Sequence, residues 1–219
     1  MKLTVISGAA RARSKSNTAL ILENFCRGYE AEGNQTQTFY LSDRNQWEAA
    51  RAAFDASDNL LIALPLYVED LPGLLLEFLG TLTPKRTPGA KLAFLVQGGF
   101  PEASQLRCCE EYLETLPARL GCIYGGTLIK GNMFFLRLLS DKQQEELRMF
   151  ETMGKRFAQL GRFDKDEVTL FAAPEYMPET ALKVFRGPGK FFQRLVMNAI
   201  SRKMGGRGNL KARPYKDGE

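Results

Sequence analysis

The stretch Ser7-Gly8-Ala9-Ala10-Arg11-Ala12-Arg13-Ser14-Lys15-Ser16-Asn17-Thr18 gathers small, hydroxyl and basic residues between two apolar segments. Leu3-Thr4-Val5-Ile6 before it reads as a strand, and Ala19-Leu20-Ile21-Leu22-Glu23-Asn24-Phe25 after it has helical spacing. A strand, a short turn and a helix N-terminus together make an anion site. Unpaired N–H groups at the helix start point at the ligand, and the helix dipole favours its charge. Ser16, Asn17 and Thr18 add side-chain donors where the helix needs a cap in any case. A cap alone would say little, but two arginines and a lysine in the same turn make a phosphate the expected ligand.

Other chemistry is excluded by composition. The 219-residue chain has no histidine, so Ser-His-Asp and Cys-His nucleophiles and histidine-ligated zinc or iron sites are ruled out. The cysteines are Cys26, Cys108, Cys109 and Cys122, and no CxxC pair supports structural zinc or an iron–sulfur cluster. Cys108-Cys109 falls in a helical pattern and reads as a pair of free buried thiols. A Gly-x-x-x-x-Gly-Lys-Ser/Thr loop does not occur, and Gly205-Gly206-Arg207-Gly208 follows a helix, so it is not a dinucleotide fingerprint.

The elements that must position the first loop alternate regularly. Strands are expected at 3–7, 35–41, 60–64, 91–97 and 122–130, and helices at 17–32, 46–58, 71–82, 102–120 and 141–161. The run Leu60-Leu61-Ile62-Ala63-Leu64 is continuously apolar, as a strand covered on both faces must be. Five β-α units in succession predict an α/β fold, a doubly wound parallel sheet with helices on both faces. Ligands of such sheets bind at the carboxyl ends of the strands where the strand order reverses. The loops after strands one, three and four therefore matter.

The second of these, Pro65-Leu66-Tyr67-Val68-Glu69-Asp70-Leu71-Pro72-Gly73, puts apolar side chains at an exposed loop position. A flat aromatic ligand would cover them, and packing under the following helix would serve as well. The third, Gln97-Gly98-Gly99-Phe100-Pro101-Glu102, has paired glycines that let backbone N–H groups approach a ligand. Phe100 could cover a ring, and Pro101 suits the first turn of the next helix.

In this order and spacing the three loops resemble flavodoxin-like NAD(P)H-dependent oxidoreductases of the FMN reductase type. The resemblance rests on Gly8-Ala9-Ala10-Arg11 with Ser16-Asn17-Thr18, Pro65-Leu66-Tyr67 with Leu71-Pro72-Gly73, and Gln97 to Glu102. It extends over residues 1–160 and implies strand order 2-1-3-4-5 and non-covalent FMN. The FMN phosphate would lie at Arg11, Ser16, Asn17 and Thr18, and its ring against Pro65, Leu66, Tyr67 and Val68 and against Gly98, Gly99 and Phe100. The family usually has Ser-Pro-Arg where this chain has Ala9-Ala10-Arg11, one hydroxyl donor and one proline fewer. The resemblance further implies NAD(P)H as co-substrate, a small acceptor (quinone, flavin, nitro or azo compound, or metal ion) and a homodimer. Arg13 is the residue expected to favour NADPH over NADH. Alternatives are an FMN electron carrier without direct reaction with NAD(P)H, and a flavin-free interaction module.

Two domains are expected, a flavodoxin-like FMN-binding domain at 1–162 and a basic C-terminal extension at 163–219. The net charge is +5, yet residues 183–219 carry ten Lys and Arg against two Asp and Glu. Val168 to Pro174 is apolar and expected to pack on the body. Phe191 to Ile200 reads as an amphipathic helix, with Phe192, Leu195, Val196, Ala199 and Ile200 on one stripe and Arg194, Arg202 and Lys203 opposite. Packing on the parent domain is the expectation for this stripe; a dimer contact and contact with an anionic membrane surface are the alternatives. No nucleic-acid motif accompanies the charge. Met1-Lys2 leads straight into the first strand and no apolar run is long enough to span a bilayer, so a cytoplasmic protein is expected.

Overall fold

Why five strands form one sheet is visible in their burial. The computed structural model describes residues 1–67, 70–86, 88–137, 140–186, 189–203 and 205–206. Strands β1 (Lys2–Ser7), β3 (Asn59–Pro65) and β4 (Lys91–Gln97) are covered on both faces; β3 and β4 read as apolar runs in their interiors, and β1 also buries Thr4 and Ser7. Strand β2 (Gln35–Tyr40) alternates exposed and half-buried residues over its first four positions before burying Phe39 and Tyr40, and lies at one edge, with β5 (Ile123–Lys130) at the opposite edge. All neighbouring pairs are parallel in the order β2-β1-β3-β4-β5, as the resemblance implied. The order reverses between β1 and β3, so the crevice opens beyond Ser7 and Pro65.

Helices α1 (Asn17–Ala31) and α5 (Ser140–Leu160) pack against each other on one face of the sheet. Right-handed crossovers place α2 (Trp47–Ala56), α3 (Gly73–Leu79) and α4 (Ser104–Arg119) on the other. There the Trp47 and Phe78 rings meet edge-on at 5.4 Å, and the Trp47 Nε1–H donates to the Leu41 carbonyl at 2.9 Å. On the first face Phe25, Tyr29, Phe157 and Phe163 form one aromatic cluster, with Phe157 and Phe163 at 4.6 Å. The α1–α5 approach is close because Gly28 and Gly154 lie at it. A Cβ on Gly28 would stand 1.9 Å from the Glu151 carbonyl oxygen. One on Gly154 would stand 2.0 Å from that of Phe25.

Several bounds differ from the sequence reading for local reasons. Helix α3 is shorter than 71–82 because Pro72 caps its start and Gly80 ends it. Helix α4 begins at Ser104, so Pro101 and Glu102 belong to the preceding loop. The apolar segment near 168–174 is mostly helix, α6 (Lys165–Ala172), capped by the Asp164 carboxylate on the N–H groups of Asp166 and Glu167.

The chain divides into two compact units, Met1–Tyr176 and Met177–Glu219. In the first, α6 buries Val168, Phe171 and Ala172. The carbonyls of Pro174 and Glu175 accept from the N–H groups of Ala103 and Ser104, where α4 starts. Arg107 holds Glu175 at 2.6 Å and Glu110 at 2.6 Å. The second unit contains α7 (Glu179–Arg186) and α8 (Gly189–Lys203), which contact one another. The stripe expected on α8 is only partly covered. Val196 and Ile200 are half-buried, Leu195 and Ala199 are exposed, and the side chains of Phe192 and Lys203 lie outside the described residues.

Candidate functional site

The chain leaves the sheet at one edge in three consecutive, hydrogen-bonded steps. Gly8 N–H donates to Ala63 O at 2.8 Å, Leu66 N–H to Gln97 O at 2.8 Å, and Gly98 N–H to Lys130 O at 2.9 Å. Each loop therefore starts from a rigid neighbour. Two of these starts are crowded, since a Cβ on Gly8 would meet Leu75 Cδ2 at 2.9 Å and one on Gly98 would meet Leu106 Cδ2 at 2.8 Å, and these buried leucines would have to shift. Gly99 has no such crowding, with Phe134 as its nearest contact at 3.6 Å.

In the first loop Ala9 is buried, Arg11 is exposed, and Arg13–Lys15 form one short 3-10 turn. Ser16 is buried and caps α1, its Oγ accepting from the Ala19 N–H at 3.2 Å. Among the described residues no acceptor takes the N–H groups of Asn17 or Thr18, which open the helix. Their side chains are already engaged, which the sequence did not reveal. Asn17 Nδ2 donates to Met133 O at 2.7 Å, and the buried Thr18 hydroxyl accepts from Gln97 Nε2 at 3.4 Å. Arg13 is paired with Glu23 at 3.0 Å and lies over the Tyr40 ring at 5.0 Å, so its charge is turned towards β2.

The second loop folds back on itself through paired hydrogen bonds between Tyr67 and Asp70, 3.1 and 3.2 Å. Pro65 is buried, Leu66 half-buried and the Tyr67 side chain exposed; Val68 lies outside the described residues. In the third loop Phe100 is 64% exposed although its backbone is clamped, its carbonyl accepting from Asn132 N–H at 2.6 Å. No described residue accepts from the N–H groups of Gly99 or Phe100. At the foot of this loop Glu102 has a buried Oε2 to which no described residue donates a hydrogen bond.

A fourth segment, after β5, joins these loops with no local sign of it in the sequence. Met133 N–H donates to Gly98 O at 2.9 Å, and a Cβ on Gly131 would stand 2.5 Å from Phe100 O, so this segment is laid against the third loop. It continues to the start of α1, where the Arg137 guanidinium donates to Ser16 O at 2.9 Å. The segment thus brings a cation from a distant part of the chain to the N-terminus of α1. At its root Lys130 is buried, donates to Phe171 O at 2.7 Å, and has its pKa pushed down by burial against an opposing pull from Glu146.

The thiols stand apart from this chemistry. Burial pushes Cys26 up to about 11 and Cys109 up to about 12, and raises Cys122 as well. Cys108 is exposed, which corrects the reading of a buried pair: adjacent positions on a helix point in different directions, and only Cys109 faces the sheet. Near pH ~8, where ordinary thiols begin to ionise, native protein is expected to take up one equivalent of thiol reagent, abolished by Cys108→Ser. Cys26, Cys109 and Cys122 should react only on unfolding. Uptake of two or more equivalents by folded protein would contradict their burial. The folded state holds these thiol protons where the unfolded chain releases them. Their contribution to stability is therefore full below the ordinary thiol pKa and declines as pH rises towards 11 and 12.

No family model and no curated protein sequence matches the chain. Solved structures do. An FMN-dependent NADH-azoreductase from Bacillus anthracis in complex with FMN is 13% identical and superposes with a TM-score of 0.55, over 72% of this chain and 100% of that one. An NAD(P)H:quinone oxidoreductase from Methanothermobacter marburgensis is 16% identical with a TM-score of 0.59, over 72% and 96%. An NADH:FMN oxidoreductase in its apo form is 18% identical with a TM-score of 0.56, over 76% and 92%. At these identities the likeness is one of architecture: the chain has the flavodoxin-like fold that these reductases share.

Proposed function

We propose that this chain is an FMN-dependent oxidoreductase that takes hydride from NAD(P)H and passes electrons to a small acceptor such as a quinone, a flavin, a nitro or azo compound, or a metal ion. One observation carries the reading. A helix N-terminus with free N–H groups, touched by Arg137 and preceded in its loop by the exposed Arg11, shares a sheet edge with two exposed rings, Tyr67 and Phe100. Phosphate and ring are the two ends of FMN. The azoreductase and the NADH:FMN oxidoreductase of the same fold are described by their names as acting with FMN.

The residues present fit that ligand with the labour redistributed. Because Asn17 spends its amide on Met133, while Ser16 and Thr18 only accept from Ala19 and Gln97 and keep their O–H protons to donate, the phosphate would be held by the N–H groups of Asn17 and Thr18, the Ser16 and Thr18 hydroxyls and the cations of Arg11 and Arg137. This arrangement offsets the missing hydroxyl at Ala9-Ala10. Tyr67 and Phe100 would flank the ring and exclude water from it, each held by a backbone that its neighbours fix. The N–H groups of Gly99 and Phe100 supply donors for its polar edge. Bound FMN would supply reversible hydride and electron transfer, so a chain without histidine need furnish only position and electrostatics.

The test is an absorbance spectrum after FMN addition and desalting, followed by anaerobic NADPH or NADH. Retained flavin bands that bleach with a nicotinamide are the expected result. Bands that are retained but resist both nucleotides would leave an electron carrier. Failure to retain flavin would sink the reading.

A further inference from the structure

Helix α8 turns a mixed apolar and basic face to solvent. Phe191 is 73% exposed and Leu195 is 52% exposed, one turn apart on the same side of the helix. Arg194 and Arg202 are exposed on that same side, by their spacing of three and eleven residues from Phe191. The inward side carries the half-buried Val196 and Ile200. The helix therefore has two apolar aspects, one half-buried and one exposed. Residues 183–219 add to this a net charge of +8, from ten Lys and Arg and two Asp and Glu.

We propose that this face docks on an anionic lipid surface, with Phe191 and Leu195 entering the headgroup boundary and Arg194 and Arg202 pairing with acidic headgroups. Charge decides between the possible occupants. A second copy joined through this face would be related by two-fold symmetry, so Arg194 and Arg202 would meet a surface of their own sign. A nucleic acid would satisfy the arginines and leave two large apolar side chains in water. An anionic bilayer satisfies both halves: its headgroups attract the basic residues, each adding roughly fivefold to partitioning, while the acyl boundary takes the rings and branched chains. Among the described residues no helix is long and apolar enough to cross a membrane, so the contact is with the surface.

The experiment is co-sedimentation of the full chain with vesicles of phosphatidylcholine alone or mixed with phosphatidylglycerol, in low and high salt. Binding is expected only to the mixed vesicles, and weakened by salt. Phe191→Ser with Leu195→Ser should reduce it about tenfold or more while leaving the circular dichroism spectrum unchanged, since both side chains are exposed. Arg194→Gln with Arg202→Gln should reduce both binding and its salt dependence, which keeps the idea testable if the first pair misfolds. Absence of sedimentation with mixed vesicles in low salt would overturn the proposal. So would equal binding by the Phe191/Leu195 variant, tighter binding to duplex DNA than to vesicles, or a dimer in solution that the same variant abolishes.

Discussion

Gly154→Ala is expected to cost about 2 kcal/mol or more of folding stability, the reverse of what helix propensity alone dictates. In an exposed helix, alanine in place of glycine gains about 1 kcal/mol. Gly154 is different because the new methyl would stand 2.0 Å from the Phe25 carbonyl oxygen and 3.0 Å from the Tyr29 nitrogen. Both are backbone atoms of α1 and cannot swing aside, so α1 and α5 must separate. Separation opens the cluster of Phe25, Tyr29, Phe157 and Phe163. A thermal melt should show a midpoint lower by roughly 4–8 °C, taking about 2–4 °C per kcal/mol for a chain of this length. Gly28→Ala should behave alike, its methyl facing the Glu151 carbonyl at 1.9 Å. Gly73→Ala, at the first position of α3 with nothing within 4 Å, is the control and should be neutral or slightly stabilising. An unchanged midpoint in Gly154→Ala would show that the two helices do not approach so closely.

The second large effect concerns the phosphate. If the FMN reading is correct, Arg137→Ala should raise the Kd for FMN by roughly tenfold, the lower end of the range for an exposed charge-assisted hydrogen bond. Arg11→Ala should do the same, and the double variant should lose roughly a hundredfold if the two act independently. Arg13→Ala is the control, because its guanidinium is occupied by Glu23 and Tyr40 and should leave Kd within a factor of about three. Quenching of FMN fluorescence on titration reads all four values. Equal losses at Arg11, Arg13 and Arg137 would mean a diffuse basic surface in place of a built phosphate site. No loss at Arg137 would mean that its contact with Ser16 only braces the loop.

These two predictions differ in how far the sequence could have supplied them. The strand-turn-helix form of the first loop was legible because its signals are local: a buried strand, small residues, then Ser16 in a capping position one residue before α1. The same holds for the order of strands and helices, since apolar runs and helical spacing follow from which faces each element must bury. Local signals also explain the residual errors. Pro72, Gly80 and Asp164 set helix ends through backbone geometry and capping that hydrophobic spacing does not report.

Arg137 was illegible for the opposite reason. It reaches Ser16 across 121 residues of chain, and Asn17 is tied to Met133 across 116. No composition or spacing near either end announces such a contact. The side-chain partners at the loop are set in the same way: the Asn17 amide donates to Met133 O, and the Thr18 hydroxyl accepts from Gln97, both across distant parts of the chain. Gly28 and Gly154 are a further instance, since a mid-helix glycine reads as a weak point until a second helix is laid across it. By itself the sequence determined the α/β alternation, the order of the loops that follow the strands, and the donors and cations of the first loop on which the proposed phosphate contact rests, because each follows from neighbours along the chain. Which side chains remain free to make that contact, and how closely the helices approach behind it, was decided only by tertiary packing, where distant segments compete for the same donors and the same space.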